Sequence, residues 1–202
     1  MLPLEHHRFD ELLAAISAKT PTPGGGAVAS ATGAIACALA GMVVSYSLGK
    51  KDLLAHQPAL DDARKQLERA RALFLQLASE DEQAYAWLNS LQKLPESDAK
   101  RASEYPQAVQ AAISAPLNTL AAACDIARLA KSLVPITNKW LRSDLAISAI
   151  LTRATAQSSA CNVRINLPLI TDAKSRAALE AQTSELVHTC ERITGEIEKA
   201  CV

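Results

Sequence analysis

Aromatic residues are scarce in this chain: two Trp, three Tyr and two Phe among 202 residues. So little ring surface argues against a base-stacking platform for nucleic acid and against the aromatic belts of a membrane protein. Net charge is missing as well, since Lys+Arg and Asp+Glu both stand at 21. A balance of zero supplies neither a basic nucleic-acid groove nor a polybasic membrane-binding face. Sustained apolar–polar alternation is absent and β-branched runs are short, which excludes a sheet-based core. Cysteine is present but unorganised: Cys37, Cys124, Cys161, Cys190 and Cys201 are odd in number, widely spaced and without a CxxC pair. That pattern fits neither a zinc site nor a disulfide framework and reads as small packed side chains in a reducing cytoplasm. His6, His7, His56 and His188 show no ligand spacing, and the paired ExxH motifs of a di-iron bundle do not occur. No Ser or Cys stands in a nucleophile motif.

One segment imitates a membrane span. Residues 27–48 carry no charge and are long enough to cross a bilayer. Their content is mostly Ala, Gly, Ser and Thr, and Ala29, Gly33, Cys37, Gly41 and Ser45 recur every four residues. A stripe without bulk lets another helix approach closely, so the segment reads as a buried Ala/Gly-rich central helix. The first seven residues have no basic stretch leading into an apolar one, so no secretory leader is expected and the chain is placed in the cytoplasm.

What is there is helical. A fifth of the residues are Ala, 49% are hydrophobic and 21% charged, the composition of a packed all-α protein. One domain over residues 1–202 is expected, a bundle of about five to seven long helices burying roughly 70% of the surface of the unfolded chain. The spacing predicts a first helix over Phe9–Lys19 with Phe9, Leu12, Leu13 and Ile16 on one face, broken by Thr20-Pro21-Thr22-Pro23-Gly24-Gly25-Gly26. After Pro58, Leu60, Leu67, Phe74, Asp81 and Leu88 recur by seven, with Ala63, Ala70, Leu77, Ala84 and Leu91 as companion row. That is an a/d seam with one carboxylate in it. The region 98–133 should be ended or kinked at Pro106 and Pro116. A helix from Ser143, its expected N-cap, to Leu167 follows, and Asp172 opens a last charged helix.

Several residues invite chemistry. An unpaired Asp81 in an apolar seam is costly, so it is neutral, paired with a cation of another helix, or faces a cleft. Asp144, Ser148, Thr152, Thr155, Ser159, Asn162 and Asn166 advance by three or four and form one face of hydroxyls and amides with a single charge. Such a face suits either a desolvated cleft or a helix–helix or subunit interface. Gly24–Gly26 set bare N–H groups at a helix start, for a ligand anion or carbonyl, or make a simple turn. Lys50 and Lys51 are either a C-terminal cap or an attraction for a carboxylate.

Six of these pieces, in order, resemble the cyclodeaminase-type folate family, which comprises the C-terminal half of formiminotransferase-cyclodeaminase and bacterial methenyltetrahydrofolate cyclohydrolases. They are TPTPGGGAVAS at 20–30, LGKK at 48–51, EDEQAY at 80–85, APL at 115–117, SDLAISA at 143–149 and ACNVRINL at 160–167. The resemblance implies a helical dimer or larger homo-oligomer that binds a reduced folate, with no metal and no cofactor beyond that substrate. Two reactions share its centre. A cyclohydrolase adds water to 5,10-methenyltetrahydrofolate, giving the 10-formyl form; a cyclodeaminase closes 5-formiminotetrahydrofolate and expels ammonia. The first is placed ahead because these 202 residues hold no formiminotransferase half. A non-catalytic folate-binding or structural oligomer is the third reading.

Carried over residue by residue, the resemblance makes Asp81 and Asp144 the acid/base pair or the holders of a cationic substrate. Pro23, Gly24, Gly25 and Gly26 would let backbone approach the ligand, and Lys50 and Lys51 would meet its glutamate tail or reacting centre. Asn162, Arg164 and Asn166 would hydrogen-bond ligand or a partner subunit, with Tyr85 supporting Asp81. The chain departs from the family pattern at Ser45, at Trp140-Leu141-Arg142 and at Leu145-Ala146. Trp140 and Leu145 are expected to narrow the cleft.

Overall fold

The computed structural model describes residues 8–202, so His6, His7 and the leader expectation fall outside the described residues. Six α-helices account for nearly all of it, and among the described residues there is no strand. They are α1 (Phe9–Ser17), α2 (Gly25–Ser45), α3 (Gln57–Gln92), α4 (Ala99–Leu133), α5 (Arg142–Asn166) and α6 (Ala173–Cys201). A 3₁₀ segment over Lys51–His56, which the sequence pattern did not announce, links α2 to α3.

The Ala/Gly-rich segment is α2, and it is packed into the bundle between α3 and α5. Its length and hydropathy match a membrane span, yet Ala29, Ala36, Ala40, Val43 and Val44 are buried in protein. The small stripe does what its composition demands: a methyl group on Gly33 would stand 2.8 Å from the Phe74 ring, so the ring lies directly on α2. Both heptad rows of α3 face inward, with Leu60, Leu67, Phe74, Leu77, Leu88 and Leu91 buried. α3 and α5 run antiparallel to α2: Gly26 and Gly33 meet Asp81 and then Phe74, and Gly25 meets Asn162 while Ser148 Oγ donates to the Ala36 carbonyl at 2.9 Å. α6 closes the far side of α4 and α5, tied by Arg153 to Glu198 and by Arg164 to Glu180.

Two expectations are corrected. α4 runs unbroken through Pro106 and Pro116. Pro116 has no N–H for the Ala112 carbonyl four residues back, and Asn166 Nδ2 donates to that carbonyl at 3.1 Å instead. Tertiary structure thus satisfies the group that proline leaves bare. Ser143 is also not the cap of α5, which begins one residue earlier behind a 3₁₀ turn over Lys139–Leu141. Asp172, by contrast, caps α6 by accepting from the Ser175 N–H at 2.8 Å.

Candidate active site

Where α2 begins, three helices converge. α3 brings Asp81 and Tyr85, the C-terminal end of α5 brings Asn162, Ile165 and Asn166, and the glycine segment brings Gly24, Gly25 and Gly26. They line a cavity of about 270 Å³ that Pro21, Thr22 and Ala112 complete.

Asp81 is the electrostatic centre of the cavity. A methyl group on Gly26 would occupy the space of its carboxylate, so the acid lies against the bare Cα of Gly26. Only glycine admits that approach. The carboxylate therefore faces the start of α2, whose first three N–H groups have no intrahelical acceptor and whose cap residue Gly24 offers no side chain. Burial, and next the charge of Glu82, push the Asp81 carboxyl up to about 6, and no cation opposes the shift. This carboxyl exchanges its proton near neutrality, as a general acid or base must.

Asn162 and Asn166 supply the second chemistry. Asn162 Nδ2 donates to the Ser158 carbonyl at 3.2 Å, and Asn166 Nδ2 donates to the carbonyls of Ala112 and Asn162, both at 3.1 Å. Asn166 thus has both N–H groups engaged by main chain and Asn162 one of its two, so the amide oxygens and one Asn162 N–H remain for a ligand. The cavity thus presents a carboxylate and two amide oxygens as acceptors, and helix-start N–H groups with one Asn162 N–H as donors.

Other expected site residues lie elsewhere. Asp144 is at the opposite end of α5, eighteen residues from Asn162 and so about 27 Å away along the helix; it is half-buried and does not border the cavity. Lys50 and Lys51 follow the C-terminal end of α2, about 30 Å from its glycine start. Within one chain the two acids do not meet. Arg164 is turned to α6, with its guanidinium on Glu180 and Ser184 at 3.0 Å. Pro23 is half-buried and does not border the cavity. Leu145 is in the core and Trp140 is 78% exposed at the far end, so neither narrows the cavity.

The hydroxyl face of α5 resolves into helix packing. Ser148, Thr152, Thr155 and Ser159 are buried, Ser148 bonded across to α2 and both threonines to carbonyls of their own helix. Sequence reasoning overlooked Pro21, Thr22, Ala112 and Ile165. Ala112 had a signal in Pro116 four residues on, and Ile165 had one in standing three residues after Asn162 and beside Asn166.

Residues 8–185 match the sequence profile of formiminotransferase-cyclodeaminase. The chain belongs to that family. It is 27% identical over 182 residues to a methenyltetrahydrofolate cyclohydrolase of Methylorubrum extorquens, covering 88% of this chain and 86% of that one. It is 26% identical to the formimidoyltransferase-cyclodeaminase of Gallus gallus over 177 residues, 86% of this chain but only 32% of that protein. The crystal structure of formiminotetrahydrofolate cyclodeaminase from Thermotoga maritima superposes with a TM-score of 0.90 at 30% identity, over 98% of this chain and 96% of that one. The family's helical scaffold is therefore present from end to end.

Proposed function

We propose that this protein is a folate one-carbon enzyme acting at the N5/N10 bridge, and that it hydrolyses 5,10-methenyltetrahydrofolate to 10-formyltetrahydrofolate. The observation that carries the reading is the Asp81 carboxyl, raised to about 6 in a cavity of hydrogen-bond acceptors at the glycine start of α2. A reduced pterin presents N–H groups along one edge and a carbonyl beside them. The Asn162 and Asn166 oxygens fit the former, and the helix-start N–H groups fit the latter. A carboxylate also suits the cationic amidinium of the methenyl form.

The chemistry then balances without further parts. Ionised Asp81 takes a proton from water as the oxygen bonds to the amidinium carbon, giving a tetrahedral centre between two nitrogens. The same carboxyl returns the proton to N5 as the C–N5 bond breaks. The hydroxyl proton leaves to solvent and the formyl group stays on N10. Near-full-length similarity to a cyclohydrolase supports this direction.

Cyclodeamination is the second reading, favoured by the likeness to the Thermotoga maritima cyclodeaminase. There N10 attacks the carbon of the protonated formimino group, Asp81 relays the N10 proton to the resulting NH2, and ammonia leaves as the methenyl cation forms. We further propose that the chain works as a homo-oligomer in the cytoplasm, with folate as sole ligand. The test is incubation with each folate, following methenyl absorbance against the spontaneous rate and assaying ammonia. Methenyl loss without ammonia, abolished by Asp81→Asn, is expected; ammonia release marks the second reading. Binding of folate without turnover of either refutes both.

A further inference from the structure

α6 is the outermost helix of the bundle. It packs chiefly on α4 and α5, and only five of its 29 residues are buried: Thr183, Cys190, Ile193, Thr194 and Ile197. A helix held by one narrow stripe belongs to the low-stability end of a structure and opens ahead of the rest. Within that stripe stands a thiol pair that the proposed reaction leaves unused.

Cys124 of α4 and Cys190 of α6 are both fully buried. Cys124 Sγ donates to the Leu186 carbonyl at 3.1 Å, the carbonyl that the Cys190 N–H reaches within α6. The Cys124 sulfur therefore rests on the turn that Cys190 closes, and it accepts from both the thiol and the N–H of Cys190. On its other side Cys190 Sγ lies 4.0 Å from the Thr152 carbonyl of α5.

The two sulfurs are not alike. The hydrogen bond from the Cys190 thiol holds Cys124 below the ordinary thiol range, and the same bond, with burial, pushes Cys190 up. One sulfur is disposed to act as nucleophile while the other keeps its proton. Among the described residues no third His, Cys, Asp or Glu joins them as a metal site requires.

We propose that Cys124 and Cys190 form an oxidation site, which a hydroperoxide converts to a disulfide that latches α6 onto α4. The Cys124 sulfur attacks the terminal peroxide oxygen, the O–O bond breaks, and an alcohol leaves with the Cys124 proton; for hydrogen peroxide that alcohol is water. The Cys190 sulfur then attacks the sulfenic acid, whose oxygen departs as water with the Cys190 proton. Two thiols lose two electrons and two protons, and one peroxide is reduced. In a reducing compartment the pair rests as thiols. The oxidant enters when α6 opens, and the bond that forms then holds the helix shut. The latch does not rest on the folate reading: Cys124 lies twelve residues, about 18 Å along α4, from Ala112 of the cavity.

The test uses the wild-type protein and a few equivalents of hydrogen peroxide. After denaturation and alkylation of free thiols, trypsin puts each of the five cysteines in its own peptide, since Lys or Arg residues separate them all. Mass spectrometry should find the Cys124 peptide joined to the Cys190 peptide and released by dithiothreitol. Cys37 is the control for burial alone. Burial pushes its thiol up to about 12 and no second cysteine borders its notch, so it should be recovered alkylated. The oxidised chain should melt about 10 °C above the reduced one, the shift expected when a disulfide closes a loop of about 66 residues in a chain of this length. Amide exchange in the second half of α6 should slow by about tenfold. Dithiothreitol should reverse both, and in Cys190→Ala the same peroxide should leave the melting point unmoved. Recovery of Cys124 and Cys190 in alkylated form once the exposed Cys161 is oxidised overturns the proposal. So does a link from either to another cysteine, or a linked chain that melts no higher.

Discussion

Asp81 is held at a cost. A folded-state value of about 6 lies above the ordinary carboxylate range, so folding favours the protonated form. The penalty is absent below about pH 4, accrues as pH rises to about 6 and is complete above it. Asp81→Asn should therefore gain about 2 kcal/mol in urea unfolding at pH 7, with partial water access allowed for, and almost nothing at pH 4. Turnover should fall on the acid side with an apparent pKa near 6, and the Asn variant should lose both rate and that limb. Gly26 acts through the same acid. Gly26→Ala puts a methyl group where the carboxylate lies, so turnover should drop at least tenfold although helix propensity improves. Gly195→Ala in α6, where an added methyl meets nothing within 4 Å, should leave turnover alone and raise stability by about 1 kcal/mol. Paired rate and melting measurements check both. The heptad break revealed Asp81 as an anomaly in the sequence. That it pairs with no cation but lies on Gly26 was not legible, because the two stand 55 positions apart in the chain and meet only through the α2–α3 crossing.

Proline and amide trade places between two helices. Pro116 frees the Ala112 carbonyl, and Asn166 of α5 closes it, which also fixes the amide that faces the cavity. Asn166→Leu should cost about 1–3 kcal/mol, the range for a buried carbonyl left bare. In a Pro116→Ala background the restored N–H bonds Ala112 itself, so the same change should cost measurably less. A double-mutant cycle in urea reads the difference as coupling between residues of different helices. Helix identity was legible throughout from spacing and caps, as with Asp172. The continuity of α4 was not, because a proline's effect depends on what stands opposite its orphaned carbonyl. Likewise the hydroxyl row of α5 was visible, but only packing against α2 assigned Ser148 to structure and Asn162 to the cavity.

At the scale of the molecule, antiparallel helices separate the expected site residues to two ends. Asp81, the glycines and the asparagines gather at one; Asp144, Lys50 and Lys51 lie at the other. The proposed homo-oligomer makes melting depend on concentration, since association favours the folded chain by mass action. The midpoint should rise over a hundredfold range of protein concentration, read by circular dichroism. The net charge of zero leaves long-range repulsion small, so low salt should not abolish the dependence.

Helical class, the apolar Ala/Gly helix, the anomalous carboxylate and the family all follow from local pattern, because periodicity, propensity and ordered motifs reside in the chain itself. Which carboxylate meets the glycines, which proline is forgiven and which lysines stand apart were decided only by packing. A rise of 1.5 Å per residue carries neighbours in a motif list to opposite ends of a 30 Å rod, and only the direction in which the rods are laid brings distant residues together.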